Sequence, residues 1–294
     1  MNLALALTLG YAADSLLGDP ARWHPVAGFG RTAAALERPT YAARRAAGAV
    51  HVTVLVGGAA AVGRAGVPAA LATWVVLGGR SLDREAAAVQ ALLDAGDLPG
   101  ARRRLTHLVG RDTSELDEAG VARAVVESVA ENTSDAVVAP LVWGALLGPA
   151  GLVAHRAANT LDAMIGHRND RYRRFGWAAA RLDDLLHLPG SRLTAALAVL
   201  LGDDPAAAWT TWRRDARAHP SPNAGPVEAA FAGALGVRLG GVNVYAGEVE
   251  DRAVLGDGRL PDAHDITRAR RLARRVGLGA LAATAAIAML RRRR

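Results

Sequence analysis

Four ionisable residues follow one another at intervals of four positions, and their types suit metal or phosphate chemistry. They are Arg123, Glu127, Glu131 and Asp135, with Asn132 beside them. Side chains four residues apart lie on one face of an α-helix, so this spacing predicts a single polar stripe. Carboxylates on one face suit Mg²⁺, which takes one or two of them together with phosphate oxygens. A solvated face of salt bridges explains the same spacing, but the flanking valines favour a partly buried stripe.

A second acidic cluster lies further along the chain, at Asn159, Asp162, Asp183 and Asp184. Asn159 and Asp162 are three positions apart and therefore share a helix face. Asp184 follows Arg181 closely. This cluster could bind another metal ion, or its carboxylates could neutralise nearby arginines such as Arg168. The spacing alone leaves both interpretations open.

Two histidines precede proline, which favours extended or turn backbone at those points. His24 lies in a polar connection with Asp19 and Arg31. His219 opens a loop that contains Asn223. A lone histidine is more often structural than catalytic. General acid–base catalysis is the alternative, because an unperturbed imidazole titrates near neutral pH.

The composition indicates a membrane protein rather than a nucleic-acid-binding one. Apolar residues make up 51% of the 294 positions and aromatic residues 4%, so aliphatic and small side chains carry the hydrophobicity and suit closely packed helices. Every basic residue is arginine, and the formal net charge is +7. Three explanations of this charge are possible: nucleic-acid binding, the basic flanks of a membrane protein, or a genome-wide preference for arginine. The long apolar blocks favour the membrane, and we expect no nucleic-acid partner.

Several classes of site are excluded by the sequence. The chain has no cysteine, which rules out disulfides, thiol catalysis and cysteine-bound zinc. It has no lysine and hence no Walker A motif. It also has no HExxH motif, no serine nucleophile elbow, and no GxGxxG motif between a strand and a helix. A bound nucleotide would therefore be held by something other than a common soluble fold.

Apolar helices must position these polar residues. Residues 3–17 predict a retained first helix rather than a cleaved signal peptide, because no basic segment precedes the apolar run. The runs 46–63 and 65–79 predict a membrane hairpin, whose arms are at or slightly below the usual span of ~20 residues. Residues 80–136 predict soluble, amphipathic helices, because their apolar positions keep a helical period.

Two further predictions concern the segments beside the polar stripe. Thr113 or Ser114 would cap the helix that carries it, with Asp117 in the first turn. Residues 136–155 are apolar but contain prolines and glycines, so they predict a kinked span or a re-entrant pair of half-helices. We favour the re-entrant pair, because it keeps the polar segments on one side of the membrane. The run 276–290 would span the membrane or lie in its interface.

The predicted fold is an all-α integral membrane protein with amphipathic and re-entrant helices, forming a single domain over residues 1–294. No strand-rich region stands out. The polar segments that would form a site are 14–31, 110–135, 156–194 and 219–241. We expect a multi-pass protein of the cell (inner or cytoplasmic) membrane, with the lipid bilayer as a partner.

These polar segments resemble those of the CbiB/CobD family, the membrane-bound adenosylcobinamide-phosphate synthases of cobalamin biosynthesis. Long blocks in the family's order carry the resemblance: DSLLGDPARWHPVAGFGR at 14–31, GRDTSELDEAGVARAVVESVAENTSDAVVAPL at 110–141, NTLDAMIGHRNDRYRRFGWAAARLDD at 159–184, RLT at 192–194 and HPSPNAGPVEAAFAGALGVRLGG at 219–241. Arg156 and Arg168 stand where the family often has lysine, so the charge is kept but no lysine amine is available.

The resemblance implies an amide-forming ligase. It would join a propionate carboxylate of adenosylcobyric acid to (R)-1-amino-2-propanol or its O-phosphate, giving adenosylcobinamide or its phosphate. ATP would supply the energy, with Mg²⁺. The corrinoid carboxylate must be activated, for instance as an acyl phosphate, before an amine can displace oxygen. Such a site needs carboxylates for the metal, arginines for phosphate and a base for the incoming ammonium. Other membrane proteins of cobalamin assembly are candidate partners.

The site hypothesis takes its positions from the resemblance and its roles from this chemistry. Metal and nucleotide binding falls to Glu127, Glu131, Asp135 and Asp162. Catalytic roles fall to His24 or Asp184 as the base, and to the arginines that would hold phosphate or corrinoid groups, Arg111, Arg123 and Arg181. Substrate contacts fall to Asp19, Arg31, Asn132, Asn159, Arg168, His219 and Asn223.

Two other functions stay open at this point. A membrane phospho- or prenyltransferase would also bind a magnesium diphosphate between acidic motifs, but it would use a lipid substrate and no ATP. A transporter would need full-length spans on both sides of its site, whereas several apolar runs here are short or interrupted.

Overall fold

α-Helices make up most of the protein, as the sequence predicts. The structure, a computed structural model, describes residues 1–20, 24–167, 169–245 and 248–292, and most of these residues are helical. The helices are α1 (Leu3–Leu17), α2 (Pro25–Thr40), α3 (Arg45–Arg64), α4 (Ala69–Val76), α5 (Gly79–Asp94), α6 (Leu98–Leu105), α7 (Glu118–Thr133), α8 (Ala139–Leu147), α9 (Pro149–Ile165), α10 (Tyr172–Phe175), α11 (Trp177–Leu201), α12 (Pro205–Asp215), α13 (Ala224–Leu235) and α14 (Ala263–Arg292). A π-helical turn (Ser134–Val138) joins α7 to α8, a 3₁₀ turn (Ala216–Ala218) follows α12, and the strands are β1 (Leu239–Tyr245) and β2 (Glu248–Leu255).

The two strands depart from the all-α prediction. They form a small antiparallel sheet in which Leu239 pairs with Leu255, and the register is irregular between Leu239 and Gly241. The prediction misses this hairpin because the glycine pair at 240–241 suggests a loop. In the structure both glycines lie inside β1, where their positive φ angles of 82° and 84° accommodate the irregularity.

The chain divides into two compact units. Unit 1 comprises Met1–Gly78, Asp135–Gly190 and Leu281–Arg294, and unit 2 comprises Gly79–Ser134 and Ser191–Ala280. The borders between the units fall inside α11 and α14 as well as at the π-turn. The expectation of one membrane-embedded domain over the whole chain stays a prediction.

The core of unit 1 forms where α3 packs on α9. Buried apolar side chains from α2, α3, α9, α10 and α11 meet there, namely Ala33, Val52, Leu55, Leu161, Ile165, Phe175 and Ala179. A small residue allows the close approach, since a Cβ added at Gly63 of α3 would overlap the carbonyl oxygen of Pro149 in α9. This packing fixes the position of α9, the helix that carries Asn159 and Asp162.

The predicted membrane hairpin over 46–63 and 65–79 is wrong in its second arm. α3 has 20 residues but α4 has eight. At a rise of ~1.5 Å per residue, α4 is about 12 Å long, well short of a hydrocarbon core of ~30 Å. Pro68 stands at its N-cap and extended backbone at Leu77 ends it. α4 packs chiefly against α1.

The apolar segment 136–155 is a pair of helices rather than one continuous span, as predicted. α8 ends at Gly148, whose positive φ of 63° turns the chain, and α9 begins at the next residue. The two helices pack against each other. Their contact is close, because a Cβ added at Gly151 would overlap the carbonyl oxygen of Trp143. The re-entrant placement of this pair in a bilayer stays a prediction.

Unit 2 is built around α7 and α13. All 12 residues of α13 are buried, and α7 buries a broad apolar face. α13 packs against α7, α12 and the two strands, while α5 and α6 pack against α7. The amphipathic helices expected over 80–136 are confirmed, with Ala86, Val89 and Leu93 on the buried face of α5.

The N-terminal cap of α7 differs from the prediction of Thr113 or Ser114. Asp117 is the N-cap, and its Oδ1 accepts a hydrogen bond of 2.7 Å from the Gly120 N–H. The Thr113 hydroxyl is used elsewhere, since it donates to the Arg102 carbonyl at 3.0 Å. Aspartate, serine and threonine are all favourable N-caps, so residue type alone does not choose among them.

Two helices in the described part of the chain are long and apolar enough to cross a membrane, Arg45–Arg64 and Ala263–Arg291. The first, α3, exposes Val50, Val54 and Val62. The second, in α14, contains the apolar run predicted at 276–290 and extends it towards the N-terminus. α1 is apolar but has 15 residues.

Candidate functional site

The polar stripe predicted on α7 is interrupted by the π-turn. Arg123 and Glu127 pair across one helical turn, with Nη1 3.6 Å from Oε1, as their spacing predicts. Asp135 lies beyond α7, in the π-turn. Such a turn adds a residue to one turn of helix and rotates the side chains that follow it. Asp135 belongs to unit 1, whereas Glu127 and Glu131 belong to unit 2.

Unit 1 gathers carboxylates from three elements around one buried histidine. This aspartate cluster consists of Asp135 of the π-turn, Asp162 of α9, and Asp183 and Asp184 of α11. The histidine is His187 of α11, which is 1% exposed. Its Nδ1 lies 3.1 Å from Asp183 Oδ2, and its Nε2 lies 3.5 Å from Asp135 Oδ1. Burial lowers the pKa of His187, but the two carboxylates more than offset this effect and raise the pKa to about 9.

The ionisation of Asp162 is perturbed by its surroundings. Burial raises the pKa of Asp162 to about 6, and the negative charges of Asp183 and Asp184 contribute to the rise. Its carboxylate lies against the C-terminal end of α9, where a Cβ added at Gly166 would overlap Asp162 Oδ1. Carboxylates that raise the pKa of a neighbour repel one another, and a bound cation would relieve that repulsion.

Two further polar side chains of α9 lie in this region of unit 1. The ring of His155 packs edge-on against His187, with 4.6 Å between centroids. His155 is 1% exposed, and neither of its nitrogens has a hydrogen-bond partner among the described residues. Burial and the neighbouring His187 lower the pKa of His155. Burial also lowers the pKa of Arg156, while the charges of Asp19 and Asp135 oppose that change.

The donor set of the aspartate cluster fits a hard divalent cation. Mg²⁺ prefers carboxylate oxygens and is commonly held by one or two of them, with phosphate oxygens and water completing the shell. Asp183 Oδ1 is buried and accepts no hydrogen bond from a described residue. Within the described ranges, no three acidic or histidine side chains converge closely enough to form a complete metal site. A cation bound there would need phosphate or water oxygens to complete its shell.

His24, a candidate base, is the N-cap of α2. Its Nδ1 accepts a hydrogen bond of 3.1 Å from the Val26 N–H, and its Nε2 lies 4.0 Å from Asp19 Oδ1. When one ring nitrogen of a neutral histidine accepts a hydrogen bond, the proton is on the other. Neutral His24 therefore carries its proton on Nε2, facing Asp19.

Other predicted residues of unit 1 are placed as follows. Arg181 and Asp184 form an ion pair of 3.6 Å one turn apart on α11. Arg31 is exposed on α2, and Asn159 is half-buried on α9, one turn from Asp162. Arg168 lies outside the described residues.

Glu127 is the centre of a buried network in unit 2. Arg111 donates to Glu127 Oε2 through Nη2 and to Asn243 Oδ1 through Nη1. The Gly240 N–H donates to Glu127 Oε1 at 2.8 Å. Arg123 donates to the Gly240 carbonyl. Both oxygens of Glu127 are thus bonded, and the two arginines hold strand β1 against α7.

Unit 2 also buries Glu228 and His219. Burial raises the pKa of Glu228 well above its usual value, and the charges of Glu127 and Glu131 add to this. His219 Nε2 lies 3.7 Å from Glu228 Oε1, and its Nδ1 accepts a hydrogen bond of 3.1 Å from the Ser221 N–H. Burial lowers the pKa of His219. His219 therefore organises the loop before α13 through its hydrogen bond with Ser221.

The remaining predicted residues of unit 2 are Asn132, Asn223 and Glu131, and the first two have hydrogen-bond partners within the unit. Asn132 donates to the Ser128 carbonyl at 2.9 Å, one turn earlier on α7. Asn223 Oδ1 accepts a hydrogen bond of 2.9 Å from the Ser191 hydroxyl. Glu131 is exposed. Their roles towards a substrate or metal stay predictions.

Sequence reasoning missed three buried ionisable side chains that lie beside the predicted site residues, namely His187, Glu228 and His155. His187 follows Asp183 by four positions, a helical pairing that could have drawn attention to it. Glu228 lies in an otherwise apolar helix, which is a recognisable sign of a functional or specially stabilised group. His155 has no such pattern, because only the packing of α9 against α11 brings it to His187.

Comparison with known proteins identifies the family. Residues 7–273 match the family described as CobD/Cbib protein. The cobalamin biosynthesis protein CobD of Mycobacterium tuberculosis is 50% identical over an alignment of 305 positions, which covers 99% of this chain and 97% of the relative. Proteins of the same name from Chromobacterium violaceum and Rhodobacter capsulatus are 48% and 43% identical, and each alignment covers 93% of the relative and at least 93% of this chain. No solved structure matches the chain. The chain therefore belongs to the CobD/CbiB family, and its role is in cobalamin biosynthesis.

Proposed function

We propose that this protein is the ligase that forms an amide bond between a corrinoid and an amino alcohol. It joins (R)-1-amino-2-propanol or its O-phosphate to a propionate carboxylate of adenosylcobyric acid, with ATP and Mg²⁺. Family membership supports the pathway. The observation that most directly supports an ATP-dependent step is the aspartate cluster of unit 1. In it, carboxylates from three elements lie around His187.

The cluster supports binding of a metal–nucleotide complex. When bound, Mg²⁺ neutralises charge on the triphosphate and orients it. Asp135 and Asp162 are the predicted ligands in unit 1, and Asp183 joins them because its Oδ1 has no hydrogen-bond partner in the described residues. Glu127 is less suited to this role, since both of its oxygens already accept hydrogen bonds, one of them from Arg111.

The incoming amine must lose its proton before it attacks the activated carboxyl carbon, so the site needs a base. Asp184 suits this role, because its side chain is 36% exposed and it lies next to Asp183. His24 is less suited in the observed conformation. Its Nδ1 lone pair already accepts a hydrogen bond, and its Nε2 carries the proton.

Two arginines of unit 1 supply positive charge. Arg156 is half-buried, and Arg181 pairs with Asp184 at 3.6 Å. Such groups stabilise negative charge that develops on the oxygens as the activated group leaves. Arg111 and Arg123 are bonded within unit 2, so we assign them to the support of β1 rather than to direct phosphate binding.

The proposed location is the cell membrane, crossed more than once. The two long apolar helices, Arg45–Arg64 and Ala263–Arg291, support this location. Both substrates and ATP are polar, so the aspartate cluster would have to open to the aqueous side.

Product formation tests the proposed function directly. Purified protein in detergent is incubated with adenosylcobyric acid, aminopropanol O-phosphate, ATP and Mg²⁺, and the amide is measured by mass spectrometry. We expect the amide only when ATP and Mg²⁺ are both present. Absence of the amide, or its formation without ATP, would overturn the proposal. Transfer to a lipid acceptor without ATP would support a phospho- or prenyltransferase instead.

A further inference from the structure

The two ring nitrogens of His187 face carboxylates that come from different elements. Nδ1 lies 3.1 Å from Asp183, one turn earlier on the same helix, and Nε2 lies 3.5 Å from Asp135 on the π-turn. We infer that His187 is a positioning residue, which ties Asp135 to α11 and so holds the Asp135 carboxylate in place for the metal–nucleotide complex. This inference rests on the function proposed above.

His187 is suited to holding two carboxylates at once. Its two nitrogens lie on different edges of the ring, so one side chain contacts Asp183 through Nδ1 and Asp135 through Nε2. The contact of Nε2 with Asp135 is at ion-pair distance and is not a hydrogen bond. With 1% of its surface exposed, His187 does not reach a substrate in solvent, so it acts through the carboxylates.

The neighbouring ring of His155 restricts the orientation of His187. The two rings meet edge-on, at an interplanar angle of 65° and a centroid distance of 4.6 Å. His155 is itself fully enclosed. Rotation of the His187 ring would therefore displace a buried side chain, which keeps Nε2 directed at Asp135.

The backbone around Asp135 is held by a contact of the π-turn. A π-turn breaks the regular pattern of helical hydrogen bonds and leaves backbone groups for other partners. The carbonyl of Ala136 accepts a hydrogen bond of 3.2 Å from the Gly78 N–H. The backbone next to Asp135 is thus held by Gly78, and the Asp135 side chain faces His187.

Two amide substitutions separate the two contacts of His187. Glutamine places its amide nitrogen near the position of Nε2 and can keep the contact with Asp135, whereas asparagine places it near Nδ1 and can keep only the contact with Asp183. The readouts are Mn²⁺ binding in the presence of ATP, measured by electron paramagnetic resonance, and the KM for the magnesium–ATP complex. Thermal unfolding reports whether each variant is folded. The matched control is His107→Gln, because His107 is an exposed histidine of unit 2.

We expect His187→Asn to weaken Mn²⁺ binding and to raise the KM at least about tenfold, with a smaller change in kcat. Loss of a residue that orients a metal ligand commonly lowers the metal affinity by such factors. His187→Gln should stay within about threefold of the wild type on the same scale. Equal effects of the two substitutions, or a fall in stability with unchanged Mn²⁺ binding and KM, would overturn the inference. So would a wild-type protein that binds no Mn²⁺ with ATP.

The inference and the proposed function fail in different ways. If the wild type forms no amide but His187→Asn alone weakens Mn²⁺ binding, the positioning role stands and the ligase proposal falls. If the wild type forms the amide and His187→Asn changes neither Mn²⁺ binding nor KM, the ligase proposal stands and the positioning role falls.

Discussion

Arg111 and Glu127 form an ion pair that is buried in unit 2, with 4% and 9% of their side chains exposed. The second oxygen of Glu127 accepts a hydrogen bond from the Gly240 N–H and faces Arg123 at 3.6 Å. A carboxylate in this position compensates two guanidinium groups. It therefore stabilises unit 2, and the metal role predicted for it from its spacing competes with this structural role.

Removal of Glu127 should destabilise the protein strongly. Loss of one partner of a buried ion pair leaves a charge without compensation and costs about 3–5 kcal/mol. We expect Glu127→Ala to lower the free energy of unfolding by this amount, measured by denaturant unfolding in detergent. Exposed Glu115→Ala, also in unit 2, should change it by less than about 0.5 kcal/mol. A stable Glu127→Ala protein that has lost Mn²⁺ binding would instead support a metal ligand.

Asp162 should affect the metal more than the fold. Its carboxylate is partly buried next to Asp183 and Asp184, whose charges a cation would neutralise. We expect Asp162→Asn to raise the Mg²⁺ concentration for half-maximal amide formation by at least about tenfold, because a ligand oxygen loses its charge. Asp170→Asn is the control, because Asp170 is exposed in the same unit. An unchanged Mg²⁺ requirement in Asp162→Asn would remove Asp162 from the metal site.

Glu228 should make stability depend on pH. Its folded-state pKa is raised by burial and by Glu127 and Glu131, so the native state favours the neutral carboxyl. The neutral Glu228 carboxyl contributes its full stability below the unfolded-state pKa. This contribution is lost as the pH rises through the folded-state pKa. We therefore expect Glu228→Gln to raise the melting temperature relative to the wild type at about pH 8 but not at about pH 4.

The pH comparison for Glu228 has a matched control in Glu115→Gln, which removes a carboxylate that is exposed. Melting temperatures of the three proteins are measured across the same pH series. A Glu228→Gln protein that is less stable than the wild type at high pH would show that the ionised carboxylate is needed in the fold.

Two glycines of α3 should respond oppositely to the same substitution. A Cβ at Gly48 would overlap the carbonyl oxygen of Phe175, whereas a Cβ at Gly57 meets no atom within 4 Å. We expect Gly48→Ala to cost about 1–3 kcal/mol of unfolding free energy through overpacking. Gly57→Ala should be neutral or stabilising by up to about 1 kcal/mol, because alanine favours the helix. Equal tolerance of both substitutions would contradict the packing of α3 on α10.

The sequence predicts most helices of this protein but not the irregular elements that shape its candidate site. α1 and α3 follow directly from apolar runs whose ends are marked by charge, glycine or proline. The π-turn has no comparable mark. Its location depends on tertiary contacts such as the hydrogen bond from Gly78 to Ala136, so the regular spacing up to Glu131 wrongly continues to Asp135.

The residues of the aspartate cluster were predictable to the extent that local spacing fixes them. Asp162 and Asp184 were both candidates, and the structure brings them into electrostatic contact. Glu127 shows the opposite case, because its partner Arg111 lies 16 positions away and its β1 contact lies further still. Helical spacing describes a side chain's neighbours on its own helix, whereas the function of a buried carboxylate depends on partners that folding supplies.

An isotope-transfer experiment tests the central claim most directly. Adenosylcobyric acid labelled with ¹⁸O in its free carboxylate is converted by the purified protein with Mg²⁺, ATP and aminopropanol O-phosphate, and all products are analysed by mass spectrometry. In activation by ATP, one carboxylate oxygen first forms a bond to phosphorus. The amine then attacks the carboxyl carbon, and that oxygen leaves with the phosphate. We predict an amide that has lost one labelled oxygen, matched by one label in inorganic phosphate. An absent amide, or an amide formed without label in any phosphate-containing product, would contradict an ATP-dependent ligase.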